Sequence, residues 1–276
     1  MTEWLNVVLL GIIEGITEFL PISSTGHLIV ASRFFPINEN LKGVFEIFIQ
    51  FGAVVAVLVY YRHQLLYHAR TVTREQKTRT LWLGIVIAFI PAGLIGFLAS
   101  ERISELLFRT EVVAGALIIG GILFLYAERT QLAVHNLPAG SIEDTPLTLR
   151  QALIVGLWQL LALIPGMSRS GMSIIGGIAA GVDRARATQF SFYLALPTLG
   201  GATLYTLLKN LSKISANDLG ILFVGALVSG IVAWIAMRWL LNYVSRNSFV
   251  PFGWYRIAVG VIIIVVEVAF QNGLIG

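Results

Sequence analysis

Two carboxylates, three adjacent hydroxyls and an imidazole lie within fourteen residues near the start of the chain. The stretch reads EGITEFLPISSTGH. Glu14 and Glu18 are four residues apart, so a helix would carry both on one face. Carboxylates placed in this way can bind a divalent cation, act as a general base or pair with an arginine.

The hydroxyls follow a proline, where a turn is expected. This turn contains Ser23, Ser24, Thr25, Gly26 and His27. A turn that opens a helix presents free backbone N–H groups and the positive end of the helix dipole, which together bind anions. A simple N-cap needs only one hydroxyl. His27 can exchange a proton near neutral pH and can serve as a nucleophile or a proton donor. The segment therefore predicts an anion site with a reactive group.

A second polar stretch, PGMSRSGMS, contains Ser168, Arg169 and Ser170. A guanidinium matches phosphate oxygens bidentately. Arg169 is the one basic residue that does not fall in a predicted loop, so it needs an anionic partner inside the membrane. Glu14, Glu18 or the phosphate of a ligand could supply that partner.

Composition places these motifs in a membrane protein. The 276 residues are 57% hydrophobic and 12% charged, with a mean hydropathy of +0.82. Soluble domains carry about a quarter charged residues. The absence of cysteine excludes disulfides and thiolate metal sites. The chain is predicted to be an all-α polytopic membrane protein that forms one membrane domain, 1–276.

Six apolar runs are long enough to cross a bilayer, since a span needs about 20 residues. They are 43–61, 81–100, 112–128, 187–208, 219–238 and 255–272. Two further apolar stretches, 4–32 and 151–182, are interrupted by proline, glycine, hydroxyls and charge. Backbone that leaves the helix at membrane depth survives only when it is buried in protein or lines a wet cavity. We therefore predict two re-entrant helix pairs in addition to six transmembrane helices.

The two halves of the chain repeat one pattern. EFLPISSTGH resembles LIPGMSRSGM, and the prolines Pro21 and Pro165 are 144 residues apart. FEIFIQFGA resembles FSFYLALPT at an offset of 145 residues, from Phe45 to Phe190. Each half then contains one re-entrant pair and three spans. Because three is odd, the halves must be inverted relative to each other, as in many transporters. The predicted repeats are 1–130 and 148–276.

The distribution of charge orients this topology. With the segment 62–80 in the cytoplasm, inner segments contain twelve Lys and Arg residues and outer segments contain six. This asymmetry follows the positive-inside rule. Arg256 is counted among the twelve, in an inner loop. Both termini are then outside, and the two polar turns enter from opposite sides and meet within the membrane.

Three functional classes are compatible with these residues. Inverted repeats, broken helices and an intramembrane arginine are typical of a transporter or flippase of an anionic lipid. A turn rich in nucleophiles beside a phosphate clamp favours an enzyme, because transport does not need it. A structural scaffold would not need buried carboxylates and an arginine. The small residues of GALIIGGI (115–122) allow close helix packing, within the chain or in a homodimer.

The two motifs resemble the signature regions of the bacterial undecaprenyl-pyrophosphate phosphatase family, also called the bacitracin-resistance protein family. Glu14 and Glu18 match a motif of the form E/Q-x-x-x-E, and His27 matches a histidine that follows it. The second motif, P-G-x-S-R-S-x-x-T, is matched from Pro165, with Ser173 in place of the final threonine. The resemblance extends over essentially the whole chain.

The resemblance implies hydrolysis of undecaprenyl pyrophosphate to the monophosphate carrier lipid of cell-wall synthesis, and with it bacitracin resistance. It implies the bacterial inner membrane, an active site that faces the periplasm, and an inverted repeat with re-entrant helices. A divalent cation, Mg²⁺ or Ca²⁺, is associated with the family, and Glu14 and Glu18 are its expected ligands. No organic cofactor and no nucleic acid are expected.

The expected mechanism places the diphosphate between the two turns, with the prenyl tail in lipid. Catalytic roles are predicted for Glu14, Glu18, Ser24, His27 and Arg169. Phosphate contacts are predicted for Ser23, Thr25, Gly26, Ser168, Arg169 and Ser170. The nucleophile is Ser24, His27 or a water activated by Glu18 or Glu14, with some preference for a side chain of the 23–27 turn.

Overall fold

A computed structural model describes residues 2–38, 41–130, 141–210, 214 and 218–272. This part of the chain is helical and contains no strand. Its helices are α1 (Thr2–Phe19), α2 (Ser24–Phe34), α3 (Lys42–Tyr60), α4 (Arg62–Thr71), α5 (Gln76–Leu107), α6 (Thr110–Thr130), α7 (Leu149–Gln159), α8 (Arg169–Ala179), α9 (Arg184–Asn210), α10 (Leu219–Val244) and α11 (Val250–Gln271). A short 3₁₀ helix, Leu160–Leu163, follows α7 directly. The predicted all-α class is confirmed.

Five of the described helices, α3, α5, α6, α10 and α11, are long and apolar enough to cross a membrane. Each coincides with a predicted apolar run, and the chain is a multi-pass membrane protein. The run 187–208 falls in α9, which has 27 residues but is less apolar. Six consecutive residues of α9, 190–195, are buried, so that stretch is covered by protein on every side. Burial inside the bundle explains why α9 tolerates a more polar composition than helices that face lipid.

The two interrupted stretches are each a helix, a turn and a second helix, as predicted. In the first, α1 ends at Phe19 and α2 begins at Ser24. In the second, α7 and the 3₁₀ helix end before a turn at 164–168, and α8 begins at Arg169. Pro21 and Pro165 lie in these turns, where a missing N–H breaks no helical hydrogen bond. Gly166 adopts a φ of +97°, which a side chain would disfavour.

The same cap opens both short helices. Ser23 and Ser168 have φ values of 72° and 71°, and they are the only non-glycine residues with positive φ in the described part of the chain. The Ser23 hydroxyl accepts a hydrogen bond from the Gly26 amide, and the Ser168 hydroxyl accepts one from the Gly171 amide. The two caps are 145 residues apart, so Pro21 corresponds to Gly166 and not to Pro165.

The long helices approach each other closely at glycines. The helix α10 packs on α1 and α3, α5 packs on α7, and α6 packs on α11. A Cβ atom at Gly52 in α3 would lie 2.0 Å from the carbonyl oxygen of Ala226 in α10. Gly120 and Gly121, the small residues of GALIIGGI, likewise face α11 of the same chain. Their packing within the chain accounts for that pattern, and the homodimer stays a prediction.

One expectation about charge is wrong. Arg256 was assigned to an inner loop, yet it lies in the second turn of α11 and its side chain is fully buried. Without it, the inner segments contain eleven Lys and Arg residues against six outside, so the asymmetry keeps its direction. The prediction failed because Arg256 lies at the edge of the apolar stretch 255–272, where an arginine is usually interfacial, whereas the helix begins at Val250.

The close contact between α3 and α10 gives a stability prediction. Gly52→Ala forces the two helices apart, because the new methyl group meets backbone and not a movable side chain. Overpacking of this kind costs about 1–3 kcal/mol. We expect a lower thermal midpoint for the detergent-purified protein, measured by tryptophan fluorescence. Gly43→Ala is the matched control in α3, because a Cβ there meets nothing within 4 Å; equal midpoints for the two variants would contradict the packing.

Candidate active site

A single carboxylate joins the two polar motifs. Glu18, in the last turn of α1, receives a hydrogen bond from the Ser24 hydroxyl to Oε2 at 2.6 Å. Its other oxygen, Oε1, lies 3.2 Å from Nη2 of Arg169 at the start of α8. Both side chains of the ion pair are largely buried, with 5% of Glu18 and 11% of Arg169 exposed. A potential nucleophile, a potential base and a phosphate-binding cation are therefore in direct contact.

Arg169 is fixed by further contacts. Its Nη1 donates to the backbone carbonyl of Ser191 at 2.8 Å and lies 3.4 Å from the Ser191 hydroxyl. The ring of Phe19 lies under the guanidinium at 5.7 Å. The buried Nε–H has no hydrogen-bond partner among the described residues. Buried donors are nearly always paired, so an unpaired one at this place is exceptional.

Ser191 was not identified from the sequence. It lies on α9, the helix that sequence analysis treated as a plain span, and it also receives a 2.7 Å hydrogen bond from Ser173. Ser173 is the residue that replaces the threonine of the signature motif. Its hydroxyl oxygen also lies 2.9 Å from the carbonyl oxygen of Arg169, so its one proton can be shared between these two acceptors. The hydroxyl retained at position 173 thus links α8 to α9 and supports the position of the arginine.

The other serines of the second motif make structural contacts. The Ser168 hydroxyl caps α8 and lies 3.0 Å from the Ser170 hydroxyl. Ser170 is fully buried and donates to the carbonyl of Leu20 at 3.1 Å. That hydrogen bond joins the start of α8 to the turn between α1 and α2. The two turns therefore meet, as predicted, and the phosphate contacts expected of Ser168 and Ser170 stay a prediction.

In the first turn, the two serine hydroxyls make different contacts. Ser23 is buried and caps α2 through the amide of Gly26, whereas Ser24 points to Glu18. Thr25 follows and is half-buried. Both α2 and α8 begin at this place, so the positive ends of two helix dipoles are directed at the same small volume.

His27 is part of the same turn as Ser24, but its two ring nitrogens contact other residues. Its Nδ1 lies 2.8 Å from the Ser23 carbonyl and its Nε2 lies 2.8 Å from the hydroxyl of Tyr255 in α11. The two rings are stacked, 5.6 Å apart and 3° from parallel. Both ring nitrogens therefore have partners other than Ser24 and Glu18. Tyr255 could not be identified from the sequence, because an aromatic residue near a helix end is usually an interfacial anchor.

Glu14 is 1% exposed, one helical turn before Glu18. Its carboxylate interacts electrostatically with those of Glu18 and Glu46, and it forms no salt bridge with another described residue. A buried carboxylate is costly unless a cation or a proton neutralises its charge. The described residues contain no group of three or more His, Cys, Asp or Glu side chains that could hold a metal alone. A cation here would need phosphate oxygens of the substrate as further ligands, as Mg²⁺ commonly does.

A second arginine lies behind the two turns. Arg256 is fully buried, and its Nη1 donates to the carbonyl of Pro21 at 3.1 Å. Its Nη2 donates to the carbonyls of Gly166 and Met167, each at 3.0 Å. This contact was not predicted from the sequence. The glycine pair in α6 could have indicated it, because Gly120 leaves the space that the guanidinium fills.

Comparison with known proteins agrees with the resemblance drawn from the motifs. The model of the family described as bacitracin resistance protein BacA matches residues 7–262. Undecaprenyl-diphosphatase 1 of Chromobacterium violaceum is 47% identical over 258 residues, which cover 93% of this chain and 94% of that protein. Undecaprenyl-diphosphatases of Acidovorax ebreus and Deinococcus deserti are each 45% identical, over 262 and 270 residues and about 95% of each chain. The chain belongs to the bacitracin resistance protein BacA family.

Proposed function

We propose that this protein hydrolyses undecaprenyl pyrophosphate to undecaprenyl phosphate and inorganic phosphate, which recycles the carrier lipid and confers bacitracin resistance. Membership of the family and the names of its relatives support this activity. The observation that carries it is the contact of Glu18 with both Ser24 and Arg169. That arrangement combines nucleophile, base and phosphate clamp, which phosphoryl transfer needs.

The diphosphate lies between the two turns in this proposal. The Nε–H of Arg169 and the N-terminal amides of α2 and α8 bind the oxygens of the terminal phosphate. Ser23, Thr25, Gly26, Ser168 and Ser170 are the residues that line or cap these ends. Donors that are fixed in advance stabilise charge as it develops in the transition state. The prenyl chain stays in the lipid around the helices.

The reaction then has two steps. The Ser24 oxygen attacks the terminal phosphorus while Glu18 accepts the hydroxyl proton, and the anhydride P–O bond breaks to release undecaprenyl phosphate. After Glu18 has lost that proton to solvent, it deprotonates a water molecule that attacks the phosphoserine; the P–O bond to Ser24 breaks, the serine oxygen takes the proton from Glu18, and inorganic phosphate is released. Ser24 is preferred over His27 as the nucleophile because only its side chain contacts a carboxylate. A divalent cation held by Glu14 and Glu18 would neutralise phosphate charge when bound.

We propose that the fold is an inverted repeat of the segments 1–130 and 148–276 within one domain, 1–276, with six spans and two re-entrant pairs. The identical serine caps and the contact between Ser170 and Leu20 support it. In this arrangement both termini and the active site face the periplasm across the inner membrane. A transporter would share the repeat but would not need the Ser24–Glu18 contact.

The site makes a direct prediction about turnover. Release of inorganic phosphate from undecaprenyl pyrophosphate by the purified protein should fall about 10³-fold or more in Ser24→Ala. It should fall about 10²-fold in Arg169→Lys, which loses the planar donor fork. Ser32→Ala is the matched control in α2, because its hydroxyl contacts only the carbonyl of Ile29 in the same helix.

Trapping the intermediate separates the candidate nucleophiles. A phosphoenzyme quenched in acid or base during turnover of the wild-type protein should have its phosphate on Ser24. Full turnover in Ser24→Ala would exclude serine as the nucleophile and would leave His27 or an activated water in that role. If the wild-type protein moves the lipid across a liposome membrane without releasing phosphate, the protein is a flippase and the proposed enzymatic function is wrong.

Topology can be tested cleanly because the chain has no cysteine. Single cysteines at Thr73 and Ser245 should be protected from a membrane-impermeant maleimide in intact cells. Cysteines at Arg109 and Gln271 should react, because the proposal places them outside; all four positions are exposed. Labelling of Thr73→Cys and Arg109→Cys from the same side would contradict the proposed orientation.

The cation is tested by chelation. We expect EDTA to lower phosphate release and Mg²⁺ or Ca²⁺ to restore it. Glu14→Gln should raise the concentration of cation that gives half-maximal activity, because one ligand is lost. Glu3→Gln, near the start of the same helix, is the control. Full activity in EDTA would remove the metal from the proposed mechanism.

A further inference from the structure

We propose that Arg256 is a positioning residue that sets the distance between Ser24 and Arg169 by holding the two polar turns together. This inference rests on the phosphatase function proposed above. It concerns a residue outside both signature motifs. Arg256 touches no group that would react, so it acts through the backbone of the residues that do.

The guanidinium of Arg256 uses all three of its nitrogens. It donates to five backbone carbonyl oxygens, those of Pro21, Ala116, Leu117, Gly166 and Met167. The three contacts with the turns are 3.0–3.1 Å long, and the two with α6 are 3.4 Å long. One side chain from α11 therefore connects the first turn, the second turn and α6.

The turn carbonyls are available because the helices are interrupted there. Pro21 lies between α1 and α2, and Gly166 and Met167 lie between the 3₁₀ helix and α8. A carbonyl that leaves the helical ladder inside a membrane must find another donor. A planar guanidinium with five N–H donors can reach several such oxygens in different directions, whereas an ammonium group cannot.

No carboxylate contributes to this contact. Within the described ranges, Arg256 forms no salt bridge, and its hydrogen bonds are to backbone carbonyls. A buried charge is costly, and a structural brace made of apolar side chains would avoid that cost. Multiple carbonyl contacts give what apolar packing does not, namely a fixed distance between two backbone segments.

The two segments held by Arg256 are those that position the reactive groups. Pro21 is three residues before Ser24, and Met167 is two residues before Arg169. Both reactive residues directly follow a serine cap, so displacement of either turn moves a side chain that contacts Glu18. A misplacement of about 1 Å in an active site can lower the rate about 10²-fold.

The environment of Arg256 supplies a test that leaves the arginine in place. A Cβ atom at Gly120 would lie 2.0 Å from Nη2 of Arg256 and 2.7 Å from its Cζ. Gly120→Ala must therefore displace the guanidinium. Gly115→Ala is the matched control in the same helix, because a Cβ there meets nothing within 4 Å.

The experiment compares kcat and KM for phosphate release, expressed per folded, monodisperse molecule. Arg256→Lys and Gly120→Ala should each lower kcat by about 10- to 100-fold and change KM less. Gly115→Ala should match the wild type. Arg184→Lys removes another arginine fork, 20% exposed and paired with Glu128 of α6, which contacts neither turn among the described residues. It should lower the yield of folded protein without changing kcat per folded molecule.

A double variant shows whether the glycine acts through the arginine. In the Arg256→Lys background, Gly120→Ala should have little further effect, because residues in contact do not give multiplicative losses. Independent losses that multiply would overturn the inference. Wild-type kcat per folded molecule in Arg256→Lys would also overturn it, even if the yield of folded protein fell.

A second readout does not depend on activity. Leu20→Cys and Ser170→Cys should be joined by a short bifunctional thiol crosslinker, since the Ser170 hydroxyl lies 3.1 Å from the backbone carbonyl of Leu20. The crosslink should form more slowly in the Arg256→Lys background and at the wild-type rate in the Gly115→Ala background. An unchanged rate would contradict the positioning role, whereas absence of phosphatase activity in the wild type would contradict only the proposed function.

Discussion

Backbone groups that leave a helix inside a buried core need hydrogen-bond partners, and this requirement organises the centre of the protein. Two helical segments are interrupted there, and the serine caps satisfy amides while Arg256 satisfies carbonyls. The resulting backbone is held firmly enough to present Ser24 and Arg169 to one carboxylate. The interruption of the helices leaves backbone amides and carbonyls without helical partners. These groups need other hydrogen bonds, and those hydrogen bonds fix the position of the turns.

Much of the site could be predicted from one sequence, because an ionisable residue in an apolar stretch is conspicuous. Glu18, Ser24 and Arg169 were identified in this way, and the structure brings them into contact. The interruption of both polar segments by a turn between two helices could also be predicted, since proline and glycine interrupt the apolar pattern. What spacing could not give was the partner of each group, because the contacts join residues about 150 positions apart.

The residues that were missed share a physical reason. Ser191 and Tyr255 have ordinary side chains on long helices, and nothing in their local sequence separates a site contact from helix packing. Arg256 was misread because an arginine near the end of an apolar run is usually a loop or interfacial residue. The structure shows that α11 begins at Val250, six residues before Arg256, and that the arginine side chain is buried.

The matching serine caps have a consequence for symmetry. Ser24 and Arg169 occupy the same step after the cap in the two halves, yet one is an alcohol and the other a cation. Two identical half-length subunits would present two alcohols or two cations at their junction. Because both turns belong to one polypeptide with different residues after each cap, the carboxylate of Glu18 contacts one of each.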